Sequence, residues 1–364
     1  MSNLSKVDKN FEIKTKIDKN DIVFYDSCCE PFKVYGLIKP DKKYDFFRRM
    51  PPEIADNMNN QGVSDLSRDT AGGRVAFKTD SAYIAIHTYM HYVQLGEHFP
   101  ATGTAGFDLY EKVDGKEWYI KTFIPPFNKR TEYDVVNEYE SIIELDNPGE
   151  KEYIINFPLY SGVKSLYIGL QEGAKVNAPD PFRTDGAIVY YGSSITQGGC
   201  ASRPGNTYQA MISREIDCDY INLGFSGSAR AESKMAEYIA ELNMRVFVYD
   251  YDYNSPDVEY LAATHKPFFD IIRKANPVLP IVIVSRPEIQ KKNDVDERFA
   301  VIEQTYKSAV ERDDKNVYLI DGRKIMAELA GDCGTVDGVH PNDLGFYCMA
   351  KTIGGVLKEI IKQF

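Results

Sequence analysis

The stretch AIVYYGSSITQGG, residues 187–199, opens with six residues rich in β-branched and aromatic side chains and then breaks into a small, polar, glycine-rich turn. It reads as a buried strand that ends where a loop and a helix begin. Working outward, the same alternation recurs. YINLG (220–224) precedes a helical stretch from Ala231 to Leu242, and RVFVYDYD (245–252) precedes one from about Pro256 to Ala275. PIVIVS (280–285) precedes one running through Phe299 to Glu311, and NVYLID (316–321) is followed by a last amphipathic helix from about Pro341 to Ile361. Strand and helix in strict alternation mean βαβ units, hence a parallel sheet covered by helices on both faces.

Upstream the rhythm differs. Up to about residue 180 the chain is a series of short β-prone runs, among them DIVFYD, RVAFKT, AYIAIHTYM, FDLYEKVDGKEWYIKTF and SLYIGL, with VDGK as a hairpin turn. These predict a β-sandwich. The linker AKVNAPDPFRTDG (174–186), rich in Pro and polar residues, separates the two patterns. The expected organisation is therefore an N-terminal β-sandwich over 1–180 and an α/β domain over 185–364. A length of 364 residues suits two cores.

With 43 basic against 54 acidic residues and a formal net charge of −11, the chain is a poor partner for nucleic acid or an anionic membrane surface. The first twenty residues lack the apolar segment of a signal peptide, and no run of 18 apolar residues occurs anywhere. A soluble, cytoplasmic protein is expected. Six cysteines without a C-x-x-C pair read as reduced thiols, the adjacent Cys28 and Cys29 included.

In an open α/β sheet, ligands bind beyond the carboxyl ends of the strands, so the four strand-end loops are where chemistry should be sought. Gly192-Ser193-Ser194 follows the first strand; the loop has neither G-x-x-x-x-G-K-[ST] nor G-x-G-x-x-G and so does not read as a phosphate cradle. By itself it is as readily a tight turn as a nucleophile site. Asn222-Leu223-Gly224-Phe225-Ser226-Gly227 offers a glycine whose backbone can approach a ligand and donate its N–H. Asn254 offers either an oxyanion donor or the N-cap of the helix after Pro256. In Asp337-Gly338-Val339-His340 the aspartate is in reach of the imidazole Nδ1, which would turn Nε2 towards a serine. Of the five histidines only His340 follows a strand with an aspartate in register. His87 and His91, four apart on a strand, share a face, but no third ligand is evident, and neither a metal nor a cofactor is expected. Arg203 and Arg286 flank the rim and could meet a carboxylate or pair with nearby acids.

The order G-S-S-I-T, N-x-G, Y-x-N, D-x-x-H resembles the blocks of the SGNH hydrolases, the GDSL-type esterases. Gly106-Phe107-Asp108-Leu109-Tyr110 is similar to the G-x-D-L-Y segment of the β-sandwich that precedes such domains in a two-domain subgroup. The resemblance implies a flavodoxin-like five-stranded parallel sheet behind a jelly-roll-like sandwich. It implies Ser194 as nucleophile, Asp337 and His340 as its triad partners, and the Ser194 backbone, the Gly224 backbone and the Asn254 side chain as oxyanion donors. Ser193 stands where that family commonly has aspartate, Asp252 replaces a glycine and Ser255 an aspartate. The implied activity is hydrolysis of a carboxylic ester, with a small acyl group on a sugar, in a small-molecule or oligosaccharide ester, as the favoured substrate class. The alternatives are an acyltransferase on the same fold and a carbohydrate-binding protein without activity. The oligomeric state, a homo-oligomer included, is left open.

Overall fold

The computed structural model describes residues 15–126, 137–146, 149–287, 294–327 and 329–363. The chain separates into two units, one formed by residues up to Arg49 together with Arg68–Pro181, the other by Met50–Ser67 together with Phe182–Phe364.

The first unit is built from two antiparallel sheets. One has the order β1-β9-β4-β7, with β1 Ile22–Asp26, β4 Tyr83–Tyr92, β7 Glu138–Glu144 and β9 Gly162–Gln171. The other has the order β10-β3-β8-β5-β6, with β2 (Lys33–Tyr35) beside β3. Its strands are β3 Arg74–Thr79, β5 Phe107–Val113, β6 Lys116–Phe123, β8 Lys151–Asn156 and β10 Val176–Asn177. Alternate residues, Ile84 and Ile86 on β4, Leu166 and Ile168 on β9, Phe107 and Leu109 on β5, point into one apolar core, as period-two burial requires. Asp114 and Gly115 both take positive φ, 52° and 74°, and close the β5–β6 hairpin as a VDGK turn should.

The second unit holds a five-stranded sheet of order β12-β11-β13-β14-β15, parallel at every pairing. The strands are β11 Ala187–Gly192, β12 Tyr220–Gly224, β13 Met244–Asp250, β14 Ile281–Val284 and β15 Val317–Ile320. Counted within the unit this is 2-1-3-4-5, the flavodoxin-like order, whose switch point lies beside the first strand. From β11 onward the α-helices are α1 Ser194–Gln197, α2 Tyr208–Ile216, α3 Ser233–Ala240, α4 Val258–Ala275, α5 Val295–Glu311 and α6 Asp343–Ile361. Val189 and Tyr191 of β11 face Phe268 and Met235 on one side; Tyr190 meets Tyr208 on the other, which in turn stacks near Phe346 of α6. β11 is buried along its whole length, which explains why it reads as an unbroken apolar run rather than an alternating one.

One segment departs from the division expected at residue 180. Residues 50–67 lie within the sandwich half of the sequence but pack into the second unit, because Met50, Ala55, Met58 and Val63 bury themselves among Phe225, Ala229, Ala231 and Met235. Asn60 ties this segment down: its amide donates to the Ser228 carbonyl at 2.8 Å, and its Oδ1 caps the short helix Gln61–Leu66. Lys234 returns a bond to the Asn57 carbonyl at 2.8 Å.

Candidate active site

β11 ends at Gly192, and Ser193 caps the helix that follows, its Oγ accepting the Ile195 N–H at 3.2 Å. Ser193 is thereby occupied as an N-cap, a neutral substitute for aspartate in that position. Ser194, the first residue of α1, is 8 % exposed.

His340 arrives from the loop before α6. Ser194 Oγ lies 2.9 Å from His340 Nε2, and His340 Nδ1 lies 2.7 Å from Asp337 Oδ2. The other oxygen of Asp337 accepts the N–H of Val339 at 3.0 Å and of His340 at 2.7 Å, so one carboxylate shapes the turn and orients the ring. Burial raises the Asp337 carboxyl, but the hydrogen bonds from the His340 ring and from the two backbone N–H groups outweigh it and bring it down to about 2. An ionised Asp337 keeps the proton on Nδ1 and leaves Nε2 as an acceptor for the serine hydroxyl. Cys200 stands nearby with φ of 71°, and its thiol is pushed up to about 12 by burial and then by the Asp337 charge, so it remains protonated.

The loop after β12 is stitched to α1. Asn222 donates to the Thr196 carbonyl at 2.8 Å and accepts the Gly224 N–H at 2.9 Å; Gln197 Oε1 accepts the Ser226 N–H at 3.0 Å. Gly224, expected as an oxyanion donor, thus has its N–H turned to a neighbouring side chain. Its lack of a Cβ matters in another way, since a Cβ there would lie 2.1 Å from the Gln197 nitrogen. Gly227, three residues on, has φ of 67°, is exposed, and would meet nothing within 4 Å with an added Cβ. The Phe225 carbonyl closes that turn by accepting the Ser228 N–H at 2.9 Å.

The same Phe225 carbonyl accepts one hydrogen of the Asn254 amide at 2.8 Å. Asn254 ends the 3₁₀ turn Asp252–Asn254 after β13 and is nine-tenths buried; the cap of α4 is Asp257. A planar amide has a second N–H, and fixing the first fixes its direction. Asp250, at the tip of β13, is fully buried; burial and then Asp252 push its carboxyl well above the ordinary range, and it bonds Thr196 beneath α1.

Other polar and aromatic side chains near the strand ends and in the sandwich, Arg286, His87 and His91 among them, are engaged elsewhere. Arg286 is buried, with Asp294 at 3.1 Å from its Nη2 and its guanidinium over the Tyr253 ring. Tyr249 and Tyr251 are core residues stacked on each other and on His265. His87 bonds Glu138 at 2.8 Å, and His91 stacks on Phe46. The sequence did not point to Asn222, Gln197 or Asn60 as loop anchors; a polar amide beside each glycine-rich turn was the available sign.

A flavodoxin-like sheet carrying Ser194, His340 and Asp337 at the carboxyl edge of its strands has the fold of the SGNH class. The chain belongs to that superfamily: residues 185–358 match the GDSL-like lipase/acylhydrolase family and residues 22–176 match the N-terminus of the SGNH hydrolase-type esterases. Among solved structures it is similar to a protein described as a GDSL-like lipase from Bacteroides ovatus, at 28 % identity and TM-score 0.81 over 94 % of this chain and 98 % of the other. It is also similar to a salicylyl-acyltransferase from a tetracycline biosynthetic pathway, at 19 % identity and TM-score 0.75 over 93 % and 99 %. A family two carbohydrate esterase from Clostridium thermocellum, in complex with cellohexaose, matches at 13 % identity and TM-score 0.60 over 92 % and 100 %. A search of curated proteins finds no match. Among the described residues no helix is long and apolar enough to cross a membrane.

Proposed function

We propose that this protein is a serine-dependent carboxylic ester hydrolase that removes small O-acyl groups, acetyl foremost, from a carbohydrate. The observation that carries the reading is the line of hydrogen bonds from Ser194 Oγ through His340 to Asp337. Ser194 Oγ attacks the ester carbonyl carbon as His340 Nε2 takes its proton; the tetrahedral intermediate collapses, the bond from the acyl carbon to the sugar oxygen breaks, and His340 gives its proton to that oxygen, which leaves as the sugar hydroxyl. Water, deprotonated by His340, then attacks the acyl-serine and releases the carboxylic acid. The developing oxyanion is met by the Ser194 N–H, the second hydrogen of the Asn254 amide and a glycine N–H of the β12 loop. For that last role Gly227 fits better than Gly224, whose N–H is bonded to Asn222. The sugar substrate is supported by the likeness of fold to carbohydrate esterases of family two from Clostridium thermocellum and Cellvibrio japonicus.

The test is turnover of p-nitrophenyl acetate and of a panel of acetylated sugars by Ser194→Ala and Ser193→Ala. Ser194→Ala is expected to lose about 10⁴-fold or more in kcat, and Ser193→Ala far less. Full activity in Ser194→Ala overturns the mechanism. Acyl transfer is the second reading, favoured by the likeness to the salicylyl-acyltransferase. A triad serves both outcomes equally, so product analysis with an alcohol acceptor separates them.

A further inference from the structure

The turn that carries Asn254 is gripped by two buried arginines, bridged by the half-exposed Asp294, that ester hydrolysis itself does not require. Arg298, on the inner face of α5, is 4 % exposed. Its Nη1 donates to the carbonyls of Asp252 at 3.1 Å and Ser255 at 3.2 Å, the residues on either side of Tyr253 and Asn254. Its Nε donates to Asp294 Oδ2 at 2.5 Å, and the other oxygen of Asp294 accepts Arg286 Nη2 at 3.1 Å. Arg286 reaches the same turn twice more: its backbone N–H lies 3.3 Å from Asp252 Oδ2, and its guanidinium lies 5.1 Å from the centre of the Tyr253 ring.

We propose that Arg298 is a positioning residue for Asn254, holding the Asp252–Ser255 turn at both ends so that the free amide hydrogen stays aimed at the oxyanion. This deepens the hydrolase reading and rests on Asn254 acting there as a donor. A 3₁₀ turn has poor internal hydrogen bonding and loose carbonyls at its end. One planar guanidinium bonds the Asp252 carbonyl, which also accepts the Ser255 N–H, and the Ser255 carbonyl, while a carboxylate locks its own orientation; an ammonium has no comparable fixed fork. The oxyanion geometry tolerates little error, because a donor must sit within about 2.7–3.1 Å of the developing charge. The cluster also gives Asp252 a purpose. Glycine at that position would offer no carboxylate to the Arg286 N–H, so the departure from the family pattern and the buried arginines belong to one device.

The experiment is a double-mutant cycle on p-nitrophenyl acetate, with every rate taken above the Ser194→Ala background. Arg298→Lys is expected to lower kcat by about 10- to 100-fold with KM unchanged, and to have no further effect on kcat once Asn254 is alanine. Full kcat in a folded Arg298→Lys protein overturns the proposal, and so does the same fold-loss in both backgrounds, which would mark a general packing defect. If Arg298→Lys does not fold, Asp294→Asn serves instead, since it unlocks the guanidinium but leaves it in place. A loss of about 3- to 10-fold that vanishes in the Asn254→Ala background supports the clamp, and no loss overturns it. Activity surviving in Ser194→Ala would instead refute the hydrolase mechanism, a result separable from either outcome of the cycle.

Discussion

Gly224→Ala separates two roles for the glycine at the end of β12. Alanine keeps the backbone N–H, so a residue that served only as an amide donor would lose little. The structure requires more than a donor. An added Cβ would sit 2.1 Å from the Gln197 nitrogen, 2.5 Å from the Thr196 carbonyl carbon and 2.6 Å from the Gln197 Cα. All three are backbone atoms of α1, and no rotamer change can relieve the overlap. Ordinary contact starts near 3.4 Å, so strand end and helix must part by more than 1 Å. The helix starts at Ser194, whose Oγ is 2.9 Å from His340 Nε2, and a shift of that size takes the pair beyond hydrogen-bonding distance. Overpacking of this kind costs about 1–3 kcal/mol of stability, and a misplacement of about 1 Å costs on the order of 10²-fold in rate.

The expected result for Gly224→Ala is therefore a fall in kcat of about 10²-fold on p-nitrophenyl acetate, slower labelling by a fluorophosphonate, and a lower thermal midpoint. Gly227→Ala should behave differently. Its Cβ meets open space, so the change costs only the strain of a left-handed residue, about 1–2 kcal/mol, without driving α1 aside. Gly224→Ala with unchanged kcat and unchanged melting would refute the steric argument and return the residue to a donor role.

Two further outcomes follow from one buried and one half-buried polar group. Burial pulls His265 down to about 3, and its Nδ1 lies 2.8 Å from Thr305 Oγ1. For a base whose folded value lies below its unfolded one of about 6.5, the unfolded chain takes the proton first. Its contribution to stability is complete above about pH 6.5 and is lost towards pH 3, at about 1.4 kcal/mol per pH unit. His265→Gln should flatten urea-unfolding free energies over that window; parallel profiles for the two proteins would count against it. Asn60→Ala removes both the cap of the 61–66 helix and the bond to the Ser228 carbonyl, and should cost about 1–2 kcal/mol and slow fluorophosphonate labelling. An unchanged midpoint with an unchanged labelling rate would show the segment to be incidental to the loop it touches.

The parts of the site that were legible in the sequence are those whose geometry is local. Asp337 and His340 lie on one turn, so their spacing already implies the contact, and Ser194 follows a strand whose apolar run announces its burial on both faces. In NLGFSG the sequence offers two glycines, and nothing local says which N–H is engaged; the Asn222 side chain decides it in the folded chain. Residues 50–67 look like a loop between strands of the sandwich because the apolar surface they cover, Phe225 to Met235, is supplied from far along the chain.

Arg298 shows the same limit in its sharpest form. In VDERFAVIEQTYKSAVE an arginine preceded by Asp296 and Glu297 reads as part of a solvated helix face, where it would contribute little. Its burial follows from where α5 is placed in the fold, and with burial comes the requirement that each of its donors be met. Asp294 meets one, and the carbonyls of Asp252 and Ser255 meet another. A buried guanidinium bonded to both ends of the Asp252–Ser255 turn cannot shift without moving the turn. The cost of desolvating that charge is then most simply understood as the cost of keeping Asn254 still.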